Sequence, residues 1–558
     1  MFLHNNKNTQ YLRGFYILKK QKIWWLAALL LAFTLVLAAC AGDGEPTEEP
    51  ADSGDSEDET SESEDGNGDG GGDLVISIGS DIVSLSTHGS NDVPSSNVGE
   101  NIYETLTKLD ENQEVQPGLA TWEEVDETTW DFSIEEGVTF HDGAELNAEV
   151  VKTNFDRLVD EEIASPRAFL LEAVESVEVV DEFTLRINLL YPYAPLLANL
   201  AHSGTGIMSP TVIEEDKKQL EEGGDVDTYI NQNPAGTGPF KFESWTPGES
   251  VVLTNNEDYW GEPAKLDSVT FKVISEQSAR IAELETGVSH VADAIGPNNV
   301  SRVDGTDGAS VLQEPSVSLA YVGFNVQKEP FDDVKVRQAI SMAINKEEII
   351  EGVYNGLGIP AVGPLAPPVF GYDESVSGID HDIEAAKELL AEAGYEDGFE
   401  TTIWTNDNEQ RVDTAVTVQA QLKEIGIDVQ IEELEWGAFL ERTANGEQDM
   451  FILGWSVVTS DADYGMYPLF HSSAVGETGN RSFLENEELD KLLDDARKET
   501  DPEVRQALYS EAQELLVELA PMLYLNHQEY ILGVSDKVKD FNIDAQGIYQ
   551  IKQAYIEE

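Results

Sequence analysis

Apolar and polar residues follow two periods along this chain, and each period indicates a different kind of element. Residues 183–189 alternate between apolar and polar positions, as a half-buried strand does, whereas residues 147–158 place apolar side chains at helical spacing. Further strands are predicted at 74–78, 130–134, 138–140, 401–405, 429–434, 450–455 and 523–534, and further helices at 95–109, 336–350, 382–393, 412–425, 488–496 and 503–519. Strands that alternate with helices of this length predict an α/β fold with a parallel or mixed sheet.

The first 40 residues break this pattern with a continuous apolar run. Residues 23–39 are apolar, five Lys or Arg precede them, and small residues come just before Cys40, the only cysteine of the chain. This layout is typical of an export signal. The stretch Leu37-Ala-Ala-Cys40 also resembles the lipobox of bacterial lipoproteins, which implies a signal peptide at 1–39 and a membrane anchor of two or more acyl chains on Cys40. The alternative is an uncleaved transmembrane anchor, for which this apolar run is short.

Acidic residues dominate the rest of the chain. Residues 41–73 hold 14 acidic and no basic residues, which predicts a disordered spacer, with an interaction tail as the alternative. The whole chain has 108 acidic and 33 basic residues, so it lacks the positive footprint that binding to nucleic acid or an anionic surface requires. Such an acidic surface suggests a saline, halophilic or alkaline environment, where salt screens the self-repulsion.

Short motifs in a fixed order resemble one protein family. Residues 138–151, with the sequence VTFHDGAELNAEVV, are similar to a segment of the family-5 solute-binding proteins of ABC importers, which are receptors for oligopeptides, dipeptides, glutathione and nickel. The other similar motifs are Tyr103-Glu-Thr-Leu106, Pro117-Gly-Leu-Ala120, Pro234-Ala-Gly-Thr-Gly-Pro-Phe240, Trp245-Thr-Pro-Gly248, Phe324-Asn325, Pro330-Phe-Asp-Asp333, Val336-Arg-Gln-Ala-Ile340 and Leu453-Gly-Trp455. The resemblance extends from residue 74 to residue 556.

The resemblance implies a periplasmic-binding-protein-like fold of type II, in which a hinge joins two α/β lobes and one lobe carries an extra subdomain. Lobe I would comprise residues 74–116, 238–319 and 529–558, with the subdomain inserted at 117–237. Lobe II would comprise residues 320–528, and residues 40–73 would form the lipidated linker.

No local pattern indicates catalysis, a metal site or a cofactor. The eight histidines are scattered, without a paired spacing on a helix. His141 beside Asp142 is expected to be a turn residue, and Gly236-Thr-Gly238 lacks the lysine of a phosphate-binding loop. We therefore expect no enzyme activity, although an extracellular peptide-processing enzyme or chaperone stays an alternative because active sites can be assembled from distant segments.

The predicted ligand-binding stretch is 454–465, which follows an apolar strand. Ligands of α/β lobes bind beyond the carboxyl ends of strands, and a carboxylate makes a strong contact with a peptide ammonium group. In peptide-binding relatives an aspartate three residues after the Gly-Trp pair serves this role, but Val458 stands there in this chain. The resemblance therefore transfers the role to Asp461 or Asp463, with a place on the acidic surface as the alternative for both.

Other residues could complete that site. Trp455 and Tyr464 are either ligand contacts or core aromatics. Asn325, near the expected hinge, either bonds the ligand or caps backbone groups. Arg411 and Arg481 could meet a ligand carboxylate or form structural ion pairs.

The resemblance implies a monomeric, lipid-anchored receptor on the extracytoplasmic face of the membrane. It would capture an oligopeptide between its lobes and deliver it to an ABC permease and its ATPase. Glutathione, a dipeptide or a nickel chelate are the alternative ligands.

Overall fold

The computed structural model describes residues 71–476 and 479–557, so the predicted signal peptide, Cys40 and residues 41–70 of the predicted spacer lie outside the described residues. The helices are α1 Val93–Ile102, α2 Ala148–Leu158, α3 Leu196–Asn199, α4 Pro210–Glu221, α5 Thr228–Gln232, α6 Gln277–Thr286, α7 Val300–Asp304, α8 Val334–Ala343, α9 Lys346–Tyr354, α10 Ile383–Glu392, α11 Glu409–Leu422, α12 Trp436–Ala444, α13 Ala462–Phe470, α14 Glu487–Lys498 and α15 Pro502–Leu519. Within the described part of the chain, none of them is long and apolar enough to cross a membrane.

The strands fall into larger sheets and short pairs. They are β1 Asp73–Ile78, β2 Thr107–Leu109, β3 Val115–Pro117, β4 Ala120–Asp126, β5 Thr129–Ile134, β6 Val174–Asp181, β7 Thr184–Leu189, β8 Phe240–Thr246, β9 Ser250–Asn255, β10 Ser268–Val273, β11 Val291–Ala292, β12 Ala309–Pro315, β13 Ser318–Phe324, β14 Ile359–Pro360, β15 Glu400–Thr405, β16 Asp428–Glu433, β17 Met450–Ser456, β18 Met522–His527, β19 Glu529–Ser535, β20 Val538–Lys539, β21 Asn542–Ile543, β22 Tyr549–Gln550 and β23 Tyr555–Ile556.

The first large sheet has the strand order β12-β19-β11-β1-β10-β9-β8. Strand β1 is parallel to β10 and β11, whereas β9 and β19 pair antiparallel with their neighbours, so the sheet is mixed. Leu74 and Ile76 of β1 are fully buried and belong to one hydrophobic cluster with Val98 and Ile102 of α1. We call the part of the molecule built on this sheet lobe I.

The second large sheet has the order β14-β18-β13-β17-β15-β16. Strand β13 lies antiparallel between β17 and β18. Tyr321 of β13 belongs to one hydrophobic cluster and its neighbour Val322 to another. Because both faces of the sheet are covered, its strands are apolar at successive positions instead of alternating. We call the part built on this sheet lobe II.

A smaller antiparallel sheet, β4-β5-β7-β6, and helix α2 share a hydrophobic cluster of their own, and we call this part the inserted subdomain. Helix α2 begins as predicted, because the Asn147 side chain accepts a hydrogen bond from Val150 N at 3.1 Å. Phe132 of β5 and Phe155 of α2 are almost completely buried in that cluster. The subdomain therefore has its own core.

The chain crosses between the two large sheets at two neighbouring points. One crossing joins β12 to β13, and the other joins β18 to β19 at Gln528. Ser316 binds the Gln528 carbonyl through its backbone N (3.0 Å) and its hydroxyl (2.7 Å). His527 Nδ1 lies 3.0 Å from the Ser318 carbonyl oxygen. The prediction of a single strand over 523–534 was wrong, because the chain leaves one sheet for the other at Gln528.

Three more sequence-based predictions were too simple. The helix predicted over 95–109 ends at Ile102, and Thr107–Leu109 pairs instead with β3. The helix predicted over 336–350 is two helices, because the Asn345 side chain caps a new one by accepting a hydrogen bond from Glu348 N. Residues 138–140 form only an isolated bridge, between Thr139 and Glu145. In all three cases the spacing of apolar residues is compatible both with the predicted element and with the observed structure.

Candidate functional site

A cavity of about 730 Å³ lies between lobe I and lobe II, beside the Gln528 crossing. Its walls come from the carboxyl ends of β1 and β17, the first residues of β13 and β19, and loops of both lobes. The volume falls in the range of small-molecule sites, roughly 300–1,000 Å³. The polar and aromatic side chains that line it include Asn97, Gln277, Asp293, Tyr354, Asn408, Gln410, Arg411, Trp455, Gln528, Glu529, Tyr530 and Tyr549.

Arg411 of α11 supplies a positive charge from lobe II. Its Nη1 donates to Asn406 Oδ1 at 3.0 Å, and its guanidinium lies over the Trp436 ring, 5.5 Å from the centroid. Burial lowers the pKa of Arg411, although neighbouring tyrosines act in the opposite direction. A Cβ on Gly454 would come within 3.2 Å of the Leu319 carbonyl oxygen, so the glycine permits the close approach of β17 and β13 at the cavity wall.

Asp293 supplies a negative charge from lobe I, directly after β11. Burial raises the pKa of this carboxyl group, and the Tyr549 hydroxyl works against that shift. Arg280 Nε donates to the backbone carbonyl of Asp293 at 2.9 Å. Burial of an acid favours its neutral form unless a cation is present. The Arg280 guanidinium already acts as such a cation and works against the rise in the pKa of Asp293, so a ligand ammonium group would be a second positive charge beside this carboxyl group.

Trp455, like Arg411, is a residue named from the sequence that lines this cavity. It lies near the carboxyl end of β17, where its Nε1 donates to the Tyr464 carbonyl at 2.9 Å. Its ring contacts the Tyr464 ring with centroids 5.3 Å apart. Tyr464 in turn stacks on Phe169 of the inserted subdomain, 5.2 Å away and tilted by 18°. Tyr464 thus lies one layer behind the cavity wall.

Asp461 is held by an arginine of its own lobe. Arg505 Nη1 and Nη2 donate to the two Asp461 oxygens, each at 2.7 Å, and both side chains are buried. The carboxylate also caps α13 by accepting from Asp463 N at 2.9 Å. Burial opposes the charge on Arg505, but the Asp461 carboxylate outweighs it and raises the pKa of Arg505.

Asp463 is held in the same way. Arg497 donates from Nε and Nη2 to its two oxygens at 2.8 and 2.9 Å, and the Tyr193 hydroxyl lies 3.4 Å from Oδ2. Burial opposes the charge on Arg497, but Asp463 outweighs it and raises the pKa of Arg497. Neither Asp461 nor Asp463 is among the cavity-lining residues. Their predicted contact with a ligand ammonium group stays a prediction, and the ligand would have to displace an arginine.

Asn325 lies at the end of β13 opposite to the cavity. Its Nδ2 donates to the Gly446 carbonyl at 2.9 Å, and its Oδ1 accepts from Gln327 N at 3.2 Å. Arg481 donates from Nε to Thr443 Oγ1 at 3.1 Å. The contacts of Asn325 are those of a cap on backbone groups. Of the residues named from the sequence, Trp455 and Arg411 line the cavity.

Several cavity residues carried no signal that sequence reasoning could use. Asp293 follows a two-residue strand, and Tyr354, Gln528 and Tyr549 come from segments far apart in the chain. Arg411, by contrast, was named from the sequence as a possible contact for a ligand carboxylate, whereas Asp293 was not named at all. The site depends on how the two lobes meet, which no local motif specifies.

The sequence profile "Bacterial extracellular solute-binding proteins, family 5 Middle" matches residues 114–477. The chain belongs to this family. Family-5 proteins are the transport receptors of ABC importers and are not enzymes. Glutathione-binding protein GsiB of Salmonella typhi is 32% identical over 480 residues, which cover 84% of this chain and 91% of GsiB.

Solved structures agree with this assignment to family 5. DppA of Helicobacter pylori, in complex with the peptide STSA, has 32% identity and a TM-score of 0.75, covering 88% of this chain and 99% of DppA. The oligopeptide-binding protein AppA of Bacillus subtilis, in complex with a nonapeptide, has 29% identity and a TM-score of 0.72, covering 88% of this chain and 99% of AppA. The predicted family and the two-lobe α/β fold are confirmed.

Proposed function

We propose that this family-5 receptor captures short peptides between its lobes and passes them to an ABC permease. The observation that carries the proposal is the cavity of about 730 Å³, which is lined by the acidic Asp293 and Glu529 of lobe I and by Arg411 of lobe II. Asp293 would hold the ligand ammonium group and Arg411 its carboxylate, while Trp455 packs against the ligand. A zwitterion with free termini matches this pair of opposite charges.

The lobes would follow the division predicted from the resemblance, with lobe I at 74–116, 238–319 and 529–558, the subdomain at 117–237, and lobe II at 320–528. The two hydrogen-bonded crossings support a hinge at Ser316 and Gln528. Closing about this hinge would bury the ligand without any covalent step. The closed shape would then be what the permease recognises.

We also propose that the receptor is a monomer held at the extracytoplasmic face of the membrane by lipid on Cys40. The acidic residues 41–73 would act as the spacer between the anchor and the lobes. Changing Cys40→Ser is expected to release the protein from the membrane fraction with its ligand affinity unchanged. A Cys40→Ser protein that still fractionates with membranes would contradict the lipid anchor.

The experiment that tests the ligand class is mass spectrometry of the small molecules released from the purified protein by denaturation. The expected result is peptides with free termini. Calorimetry should then show that acetylation of the peptide N-terminus weakens binding to the wild type but has little effect on binding to the Asp293→Asn variant. Equal weakening in both proteins would remove Asp293 as the ammonium partner.

Glutathione is the second candidate ligand, because the similarity to GsiB covers 84% of this chain. It is a tripeptide with one ammonium group and two carboxylates, so it fits the same arrangement of charges. Calorimetry with reduced glutathione beside an unmodified tripeptide separates the two candidates. Tighter binding of glutathione than of the tripeptide would identify glutathione as the preferred ligand.

A further inference from the structure

The inserted subdomain contacts lobe II at a place separate from both crossings. Phe169 of the subdomain stacks on Tyr464 of lobe II. Glu172 lies 3.2 Å from Arg497 Nη1, and the Tyr193 hydroxyl lies 3.4 Å from the Asp463 carboxylate that holds Arg497. We call Phe169, Glu172, Tyr193, Tyr464 and Arg497 the latch. The backbone takes part as well, since Ala194 N donates to the Arg497 carbonyl at 3.0 Å.

Separating the latch should require little free energy. Asp463 binds Arg497 with two hydrogen bonds inside lobe II, so this buried cation keeps its partner when the lobes move apart. Glu172, on the other side, is about half exposed at 47%. Loss of the Glu172–Arg497 contact would therefore leave no buried charge without a partner. An unpaired buried charge is what makes the loss of a buried ion pair costly. Arg497 is also held in place for Glu172 before the lobes meet.

Contacts connect the latch to the ligand cavity. Trp455 lines the cavity, bonds the Tyr464 carbonyl and packs on the Tyr464 ring. Tyr464 stacks on Phe169 across the interface. Three aromatic side chains thus form a continuous row from the cavity wall to the subdomain. A ligand that fixes Trp455 would fix the surface on which Phe169 packs.

We propose that the latch residues are positioning residues for ligand capture. They stabilise the closed arrangement of subdomain and lobe II, and they slow ligand release without touching the ligand. This inference rests on the proposed function for the link to ligand release, but the stabilisation of the closed arrangement can be tested without any ligand.

The first test measures the distance between the subdomain and lobe II. Spin labels would be attached to cysteines introduced at the exposed positions Val180 and Val504 in the full chain that carries Cys40→Ser. Without added ligand, Phe169→Ala and Glu172→Lys are each expected to shift the distance distribution toward longer values. Glu124→Lys, on the exposed edge strand β4, makes the same charge change as Glu172→Lys and should leave the distribution as in the parent. Identical distributions in all four proteins would overturn the latch.

The second test measures release of reduced glutathione and of the tetrapeptide Ser-Thr-Ser-Ala by stopped flow. Loss of one stacked aromatic pair should speed dissociation about two- to tenfold in Phe169→Ala. Thermal unfolding of the ligand-free variants reports whether the subdomain is intact. Faster release with unchanged distances, or longer distances with unchanged release, would contradict the proposal. A wild type that binds neither probe would count against the proposed function. The distance test would still show whether the latch stabilises the closed arrangement.

Discussion

The ligand cavity and the buried charge pairs behind it arrange their charges in opposite ways. In the cavity, Asp293 and Arg411 come from different lobes and face the space that we assign to the ligand. Behind it, Asp461 and Asp463 are each paired with an arginine of their own lobe. The cavity places groups of opposite charge on different lobes, whereas each carboxylate behind it receives two hydrogen bonds from an arginine of its own lobe. The acidic residues that follow β17 in the sequence, Asp461 and Asp463, are therefore not the ones that line the cavity.

The largest expected effect comes from breaking a charge pair behind the cavity. Asp461→Asn leaves Arg505 buried without its partner, which should lower the free energy of unfolding by about 3–5 kcal/mol. The exposed pair Lys152–Asp156 is the matched control, since loss of such a pair on a helix costs under about 0.5 kcal/mol. Urea unfolding of Asp461→Asn and Asp156→Asn measures both. If Asp461→Asn bound the ligand more weakly but kept normal stability, we would instead infer that Asp461 contacts the ligand.

The next effect concerns pH at the crossing between the lobes. Burial lowers the pKa of His527 to about 4, although its bond to the Ser318 carbonyl acts in the opposite direction. The folded state favours neutral His527. This preference stabilises the folded state fully above the ordinary pKa of about 6.5, and the stabilisation is lost as the pH falls toward 4. The wild type should lose ~3 kcal/mol more than His527→Gln between pH 6.5 and 4. Parallel stability curves for the two proteins would refute this.

Removing a charge from the cavity should affect binding and leave folding nearly unchanged. Arg411→Met and Asp293→Asn are each expected to weaken binding of a short peptide by about 1.5–3 kcal/mol, the value of a hydrogen bond to a charged group. Calorimetry gives the affinity and thermal unfolding gives the stability. If either variant lost stability as Asp461→Asn does, the contrast between the two regions would fail.

The smallest effect should appear at the residue that joins the two regions. Trp455→Phe keeps an aromatic ring at the cavity wall but removes the Nε1 bond to the Tyr464 carbonyl. The loss of one neutral hydrogen bond inside lobe II should lower the free energy of unfolding by about 0.5–1.5 kcal/mol, and calorimetry should show a still smaller effect on binding. An effect as large as that of Arg411→Met would mean that the indole N–H binds the ligand directly.

Helix ends were well predicted where a capping residue was available in the sequence. Asp382 begins α10 and Asn147 begins α2, as expected from their side chains. Asn345 gives the same signal, so the division of the helix predicted over 336–350 could have been recognised. Ser316 and Gln528 give no such signal, because the crossing depends on two segments that are 212 residues apart.

The site was harder to predict than the fold. Arg497 and Arg505 stand 34 and 44 residues after the aspartates that they bind, and nothing local in the sequence pairs them. Trp455 was found because it ends a predicted strand and belongs to the Gly-Trp pair on which the resemblance rests. Asp293 was missed because its role comes from the meeting of two lobes, which spacing along the chain does not encode.

Lobe I is completed only by the end of the chain. Asn97 of α1 donates from Nδ2 to the Gly547 carbonyl at 2.9 Å and accepts from Tyr549 N at 2.7 Å, across 450 and 452 residues. Contacts of such high sequence separation form late and slow the folding of a chain. Lobe I can therefore complete its packing only after the segment that contains Gly547 and Tyr549 has been synthesised.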